Sequence, residues 1–171
     1  MPEFAIEPLG PGHSEGRKVF HCGEPALDQW FSQQANQQQD KETSRTFVLR
    51  DTDNGDLAGF YSLSASMVLT SDLPPSIIKK YSRDYPVPAI LLARLARHLN
   101  YLGQQVGDLL LVDALKRCVR SAADIGVAMI IVDAKSPRAV RFYQRHGFQS
   151  FPDSNRLWLS IKDARQNTAQ L

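Results

Sequence analysis

Apolar positions along the chain change period several times, and each change marks an element. Glu3–Leu9 has the composition of a first strand, closed by a Gly10-Pro11-Gly12 turn. From Pro25 to Asp40, Leu27, Trp30, Phe31 and Ala35 recur at helical spacing and leave a glutamine-rich polar face, which predicts an amphipathic helix lying on a sheet. Ser44–Arg50 and Asp56–Leu69 are rich in β-branched and aromatic residues. The Asp53-Asn54-Gly55 tripeptide between them tolerates positive φ, so the two segments read as an antiparallel hairpin. A short helix is expected at Pro74–Ser82, with proline in its first turn, and Tyr85-Pro86-Val87-Pro88 resets the chain to extended.

Ala89–Ala96 is a nearly continuous apolar run broken by Arg94, the pattern of a central strand carrying one polar residue. Gly103 and Gly107 mark a turn, after which Leu111, Leu115, Cys118, Val119 and Ala122 form one face of a long helix over Gly107–Ile125, ended by Gly126. Val127–Val132 is the next buried strand. Ser136-Pro137 reads as an N-cap followed by proline at the first helical position, with a short helix running to His146 and stopping at Gly147. Asn155–Ile161 supplies a last strand, and Lys162–Leu171 is polar and expected to fray. This order predicts a mixed α+β fold, one domain over residues 1–161 followed by a polar tail.

With 171 residues, 43% hydrophobic, the chain can bury one sizeable core, and the ordinary charged fraction of 22% gives disorder no support. A net charge of +2 limits any nucleic-acid contact to a local patch. Cys22 and Cys118 are far apart, and the four histidines show no ligand spacing, so neither a disulfide framework nor a metal site is expected. The start carries no secretory pattern and no stretch is long enough to span a bilayer, which makes a cytoplasmic location the expectation.

The segment from Leu95 to Leu115 carries the chemistry. An apolar strand runs through Leu102-Gly103-Gln104-Gln105-Val106-Gly107 directly into a long helix, whose first N–H groups lack intrahelical partners and present the positive dipole end. A pyrophosphate suits such a place, although an ordinary strand-to-helix connection has the same outline. After the next strand, Ala139, Phe142-Tyr143 and Gly147-Phe148 fall in an A-x-x-(L/F)-Y-x-x-x-G-F arrangement.

In that arrangement the chain resembles the GNAT superfamily of N-acetyltransferases. A closer resemblance covers nearly its whole length. Phe20-His21-Cys22-Gly23 with Leu27-Asp28, Gly59-Phe60-Tyr61-Ser62-Leu63-Ser64, and Arg94-Leu95-Ala96 are similar to motifs of the TacT-like GNAT toxins of type II toxin–antitoxin systems. The resemblance implies a GNAT fold with a mixed central sheet flanked by helices, and acetylation of the amino group of aminoacyl-tRNA with acetyl-CoA as co-substrate. It further implies that Leu95 and Ala96 offer backbone N–H groups to the thioester, and that Leu102, Gly103, Gln104, Gln105, Val106, Gly107, Ser136, Ala139 and Phe142 hold the cofactor. Tyr143 would protonate the departing thiolate. A ribbon-helix-helix antitoxin and a homodimer are the implied partners.

An α-amino nucleophile, with a pKa of about 7.7–8.0, needs no dedicated strong base. His98 could nonetheless serve by way of water. Arg94 is costly to bury unpaired, so an internal carboxylate, a ligand phosphate or the substrate must meet it. Arg138, Arg141 and Arg145 recur at spacings of three and four on one helical face; Lys135 and, earlier, Lys79, Lys80 and Arg83 extend the basic set. They suit tRNA phosphates, or form a plain solvated face.

Family members carry glutamine or arginine where Leu102 stands, glycine where Gln105 stands, and often an acid where His98 stands. Two other readings stay open: an enzyme of small amines or protein N-termini, and a weakly active or non-catalytic homologue that acts by binding.

Overall fold

The structure, a computed structural model, describes residues 2–169. Its strands are β1 (Phe4–Pro8), β2 (Arg45–Asp51), β3 (Leu57–Val68), β4 (Val87–Arg97), β5 (Met129–Asp133), β6 (Gln149–Ser150) and β7 (Arg156–Ser160). Its α-helices are α1 (Ser14–Val19), α2 (Pro25–Gln33), α3 (Ala35–Asp40), α4 (Val106–Ala122), α5 (Pro137–Arg145) and α6 (Ile161–Ala169). The strands hydrogen-bond in the order β1-β2-β3-β4-β5-β7-β6, and β4 with β5 is a parallel pair in this mixed sheet. Two units are distinguishable along the chain, Met1–Ser64 with Ala93–Ala114, and Ala65–Leu92 with Leu115–Leu171.

In the first unit, β1 and β2 pair antiparallel from Phe4↔Asp51 to Pro8↔Phe47. The expected hairpin is present between β2 and β3, from Arg45↔Leu63 to Arg50↔Leu57, with a bulge at Leu49/Arg50. Gly55 takes a φ of +82° at its turn. The core of this unit gathers Phe20, Trp30, Phe31, Val48, Phe60 and Ala96. Phe31 stacks on Phe60 with ring centres 4.0 Å apart, and the Phe20 ring meets both edge-on. Aromatic pairs of this kind add about 0.5–1.5 kcal/mol each beyond their buried area.

The helix expected over Pro25–Asp40 is divided at Gln34 into α2 and α3. Gln39 tethers the second piece: its amide donates to the Leu9 carbonyl at 2.9 Å and accepts the Thr46 N–H at 3.1 Å, tying α3 to the end of β1 and to β2. One glutamine of the polar face is thus a backbone tether.

In the second unit, β5 is flanked by β4, in parallel register from Ala89↔Met129 to Leu92↔Val132, and by antiparallel β7. Val68, Leu73, Val87, Met129, Ile131, Phe151 and Trp158 pack together there. The helix expected at Pro74–Ser82 is only a 3-10 turn at Ile78–Lys80. Pro75 disfavours the helical angles at Pro74, and so short a segment cannot repay helix nucleation.

The polar end expected to fray is instead α6 over residues 161–169, while residues 170 and 171 of that stretch lie outside the described residues. The Ser160 hydroxyl accepts the Asp163 N–H at 3.0 Å, and Ile161 and Ala164 are buried one helical turn apart. Ser160-x-x-Asp163 is a helix-start signature hidden within a mostly hydrophilic tail. Helix α1 and strand β6 are further elements that apolar periodicity does not announce, being six and two residues long.

Candidate active site

The first unit contains the strand, loop and helix start that sequence reasoning singled out. After β4, the His98 ring caps a 3-10 turn at Leu99–Tyr101, its Nδ1 accepting the Asn100 N–H at 3.0 Å. Tyr101 is buried and donates its hydroxyl to Asp51 Oδ2 at 2.7 Å, fixing where the loop leaves the sheet. Gly103 then takes a φ of +78° and Gln105 one of +60°. The first intrahelical bond of α4 runs from the Leu109 N–H to the Gln105 carbonyl at 3.0 Å. The amides ahead of it, at Val106 and Gly107, belong to the set that an α-helix leaves unpaired within itself. Val106 is fully buried and anchors the turn. Asp108 lies in the same first helical turn and shares the positive dipole end with any bound anion.

A β-carbon on Gly103 would meet nothing within 4 Å, so its glycine serves the backbone angle and not the space. Gln105 adopts the same left-handed region with a side chain, at a cost of about 1–2 kcal/mol. The side chain points to solvent. The loop therefore holds a left-handed angle at Gln105 as well as at Gly103.

Within β4, Arg94 and Leu95 are half-buried and Ala96 is buried. Gly59 of β3 lies against this segment: a β-carbon there would stand 2.8 Å from the Ala96 carbonyl oxygen and 2.7 Å from Leu110 Cδ1. Close backbone approach therefore explains the glycine that opens Gly59-Phe60-Tyr61-Ser62-Leu63-Ser64. The Phe20-His21-Cys22-Gly23 motif has a structural reading too. Asp28 Oδ1 accepts the Cys22 N–H at 2.9 Å while Oδ2 meets His21 Nδ1 at 3.2 Å, and the His21 carbonyl accepts the Leu99 N–H at 3.0 Å.

His98 is poorly placed as a base. Its Nδ1 already accepts a backbone N–H, which puts the proton of the neutral ring on Nε2 and leaves no lone pair for an amine. Burial, with a smaller contribution from His21, lowers its pKa below the ordinary 6.5, so the ring is neutral.

The second unit contains α5. The Ser136 hydroxyl accepts the Ala139 N–H at 3.1 Å, Pro137 opens the helix, and Gly147 closes it with a φ of +94°. Tyr143 is 6% exposed. Its ring meets Phe142 and Phe148 edge-on at 5.1 and 5.5 Å. Among the described residues its hydroxyl has no hydrogen-bond partner, in contrast to Tyr101 and Tyr61, whose hydroxyls bond Asp51 and Asp113. Burial pushes the Tyr143 pKa well above the ordinary tyrosine value, so the phenol keeps its proton at neutral pH.

Lys135, Arg138, Arg141 and Arg145 are all exposed, and none is paired with a carboxylate among the described residues. Arg145 instead leans over the Phe142 ring at 5.8 Å. Ser136 and the alanine and phenylalanine at 139 and 142 share α5 or its cap with Tyr143, as expected. Sequence reasoning missed Trp30, whose helical spacing marked it only as core; the Arg94 guanidinium lies over its ring.

Comparison with known proteins places the chain in a family. The acetyltransferase (GNAT) family pattern matches residues 16–148. A tRNA-acetylating toxin of Mycobacterium tuberculosis (strain ATCC 25618 / H37Rv) is 38% identical over 164 residues, 90% of this chain and 96% of that protein. A probable toxin TacT of Sinorhizobium fredii (strain NBRC 101917 / NGR234) is 31% identical over 172 aligned positions, 94% of this chain and 92% of the relative. Among solved structures, AtaT complexed with acetyl-methionyl-tRNAfMet superposes with a TM-score of 0.85 at 25% identity, covering 96% of this chain and 98% of AtaT. The chain belongs to the acetyltransferase (GNAT) family.

Proposed function

We propose that the chain transfers the acetyl group of acetyl-CoA to the α-amino group of an aminoacyl-tRNA and, by blocking translation in the cytoplasm, acts as the toxin of a type II toxin–antitoxin system. The observation that carries the reading is Tyr143, a buried tyrosine with an uncommitted hydroxyl, on the helix with the A-x-x-(L/F)-Y-x-x-x-G-F arrangement. Its support outside the chain is the 38% identity to a tRNA-acetylating toxin along nearly the full length.

Acetyl-CoA supplies an activated thioester. The left-handed turn at Gly103 and Gln105 and the unpaired amides of α4 fit its pyrophosphate, with Leu102, Gln104, Val106 and Gly107 completing the loop. Backbone N–H groups of Leu95 and Ala96 polarise the thioester carbonyl. The neutral amine attacks the carbonyl carbon, the C–S bond breaks, the amine proton passes to water, and the Tyr143 phenol gives its proton to the leaving sulfur. Ser136, Ala139 and Phe142 hold the carrier near that phenol. A phenol of raised pKa gives up its proton only as negative charge builds on sulfur, which suits a donor that must stay protonated beforehand. Lys135, Arg138, Arg141 and Arg145 meet tRNA phosphates. A neutralising ribbon-helix-helix antitoxin and a second copy of the chain are the partners of this reading.

Incubation of the protein with acetyl-CoA and a mixture of charged tRNAs tests it. Acetylated aminoacyl-tRNA is the expected product. If the acetyl-CoA-saturated enzyme leaves every aminoacyl-tRNA untouched yet acetylates small amines or peptide N-termini, the tRNA assignment is wrong.

A further inference from the structure

Side chains alternate along β4, so Arg94 shares a face with Ala96, which packs in the Trp30–Phe31–Phe60 core. The Arg94 guanidinium carbon lies 3.9 Å from the centre of the Trp30 ring. Trp30 is 5% exposed and is itself stacked against Phe60, with ring planes 23° apart. The indole is thus a fixed plate, and the guanidinium lies on it.

The carboxylate that a buried arginine in an apolar strand ought to find is missing. Among the described residues, Arg94 makes no hydrogen bond and no ion pair. Burial lowers its proton affinity, and no charged neighbour among the described residues counteracts it. A half-buried cation with its planar fork uncommitted is unfavourable for folding, whereas the same fork, held flat by an aromatic ring, is already arranged for an oxyanion. Stacking restricts the guanidinium before any ligand arrives, so less freedom is lost on binding.

Two sources of phosphate meet this protein under the proposed function, the acyl carrier and the RNA. Helix α4 packs on the other face of the sheet: a β-carbon on Gly59 would meet Val106 and Leu110, whereas Phe60, the next residue of β3, stacks on Trp30 on the face that Arg94 shares. The α4 amides and the Arg94 guanidinium therefore belong to opposite faces, and we assign them different anions. Aromatic and guanidinium planes are also the surfaces on which single-stranded RNA ends are held. We propose that Arg94, held flat by Trp30, binds a backbone phosphate near the aminoacylated end of the RNA, with Trp30 as its positioning residue. This rests on the reading of an aminoacyl-tRNA substrate.

The test is binding and not turnover. Uncharged tRNA is titrated by fluorescence anisotropy over a series of salt concentrations, and acetyl-CoA by calorimetry, for wild type, Arg94→Ala, Arg94→Lys, Trp30→Phe and Trp30→Leu. Arg94→Ala is expected to weaken tRNA binding by about tenfold or more. It should also flatten the salt dependence by about 0.7–0.9 in log–log slope, with acetyl-CoA affinity unchanged. Arg94→Lys keeps the slope but not the full affinity, because an ammonium has no planar fork. Trp30→Phe retains binding; Trp30→Leu weakens tRNA binding while acetyl-CoA binding on the same sample reports an intact fold.

An unchanged salt slope in Arg94→Ala overturns the proposal, as does a loss confined to acetyl-CoA, which would assign the anion to the carrier. If Arg94→Ala weakens both ligands, Arg94→Lys decides: recovery of the tRNA slope and of acetyl-CoA affinity sustains the proposal, and continued loss of both makes Arg94 a folding residue. Failure of the substrate reading is seen separately, as wild-type protein that acetylates no aminoacyl-tRNA.

Discussion

Gly103 and Gln105, two residues apart in the loop between β4 and α4, share the left-handed backbone region at φ values of +78° and +60°. A glycine reaches that region freely and a glutamine does not. Gln105→Gly is therefore expected to raise stability by up to about 1 kcal/mol, since the strain relieved exceeds the extra entropy glycine loses on folding. Acetyl-CoA binding should be kept or tightened. Gln105→Val, β-branched at the same φ, should lower the melting temperature and the acetyl-CoA affinity together. Calorimetry on the pair measures both, and a Gly variant that binds acetyl-CoA more weakly would give the glutamine amide a direct role.

Tyr143→Phe removes a hydroxyl that has no partner among the described residues, so the melting temperature should hold or rise. Turnover should fall by about 10²–10⁴-fold with the acetyl-CoA dissociation constant nearly unchanged. Unaltered turnover would return Tyr143 to a packing role.

Gly59→Ala would place a methyl group 2.8 Å from the Ala96 carbonyl oxygen, a backbone atom that cannot rotate away. A loss of about 1–3 kcal/mol is expected in urea unfolding. Gly103→Ala has open space around it and should cost only the backbone angle, about 1–2 kcal/mol.

The burial that depresses the His98 pKa fixes the sign of a pH effect. Below the ordinary histidine value of 6.5, the unfolded chain takes up a proton that the folded ring refuses, so stability should fall as pH drops from about 7.5 to about 5.5. Asp28 and Asp56 oppose the shift in part, as does the Val19 backbone, and His21 adds to it. His98→Asn should flatten the slope over that window in urea midpoints. An identical slope in the variant would assign the pH dependence elsewhere.

Joint replacement of Arg138, Arg141 and Arg145 by alanine should reduce the salt slope of tRNA binding by about 2–3, at roughly 0.7–0.9 for each phosphate that is no longer neutralised. All three are exposed, so thermal unfolding should move little. Turnover that ignores the triple change would favour a small-amine acceptor.

Long periodic segments were legible in the sequence. The face of α4, the proline start of α5 and the hairpin turn at Gly55 all appear where local pattern placed them. Segments whose outcome depends on distant groups were not. Gln39 reads as one more exposed glutamine until the carbonyl of Leu9 is beside it. So short a run could not sustain a helix before Ser82, and α6 escaped notice because only Ile161 and Ala164 bury against the rest of the fold. At the site, motif order singled out Tyr143 and the glycine turn as candidates. That the turn survives a side chain at Gln105, that the His98 ring has its acceptor nitrogen engaged, and that Arg94 lies on an indole are matters of backbone angle and contact, which residue identity does not encode.

The two tryptophans of the chain are divided between its cores, Trp30 in the first unit and Trp158 in the second. Each unit therefore contains one indole, which can be excited apart from the tyrosines. Replacing either indole with phenylalanine leaves the emission of the other to report on its own surroundings, so unfolding can be followed separately in the two halves without an attached dye. The Trp30 signal would also respond directly to whatever approaches Arg94.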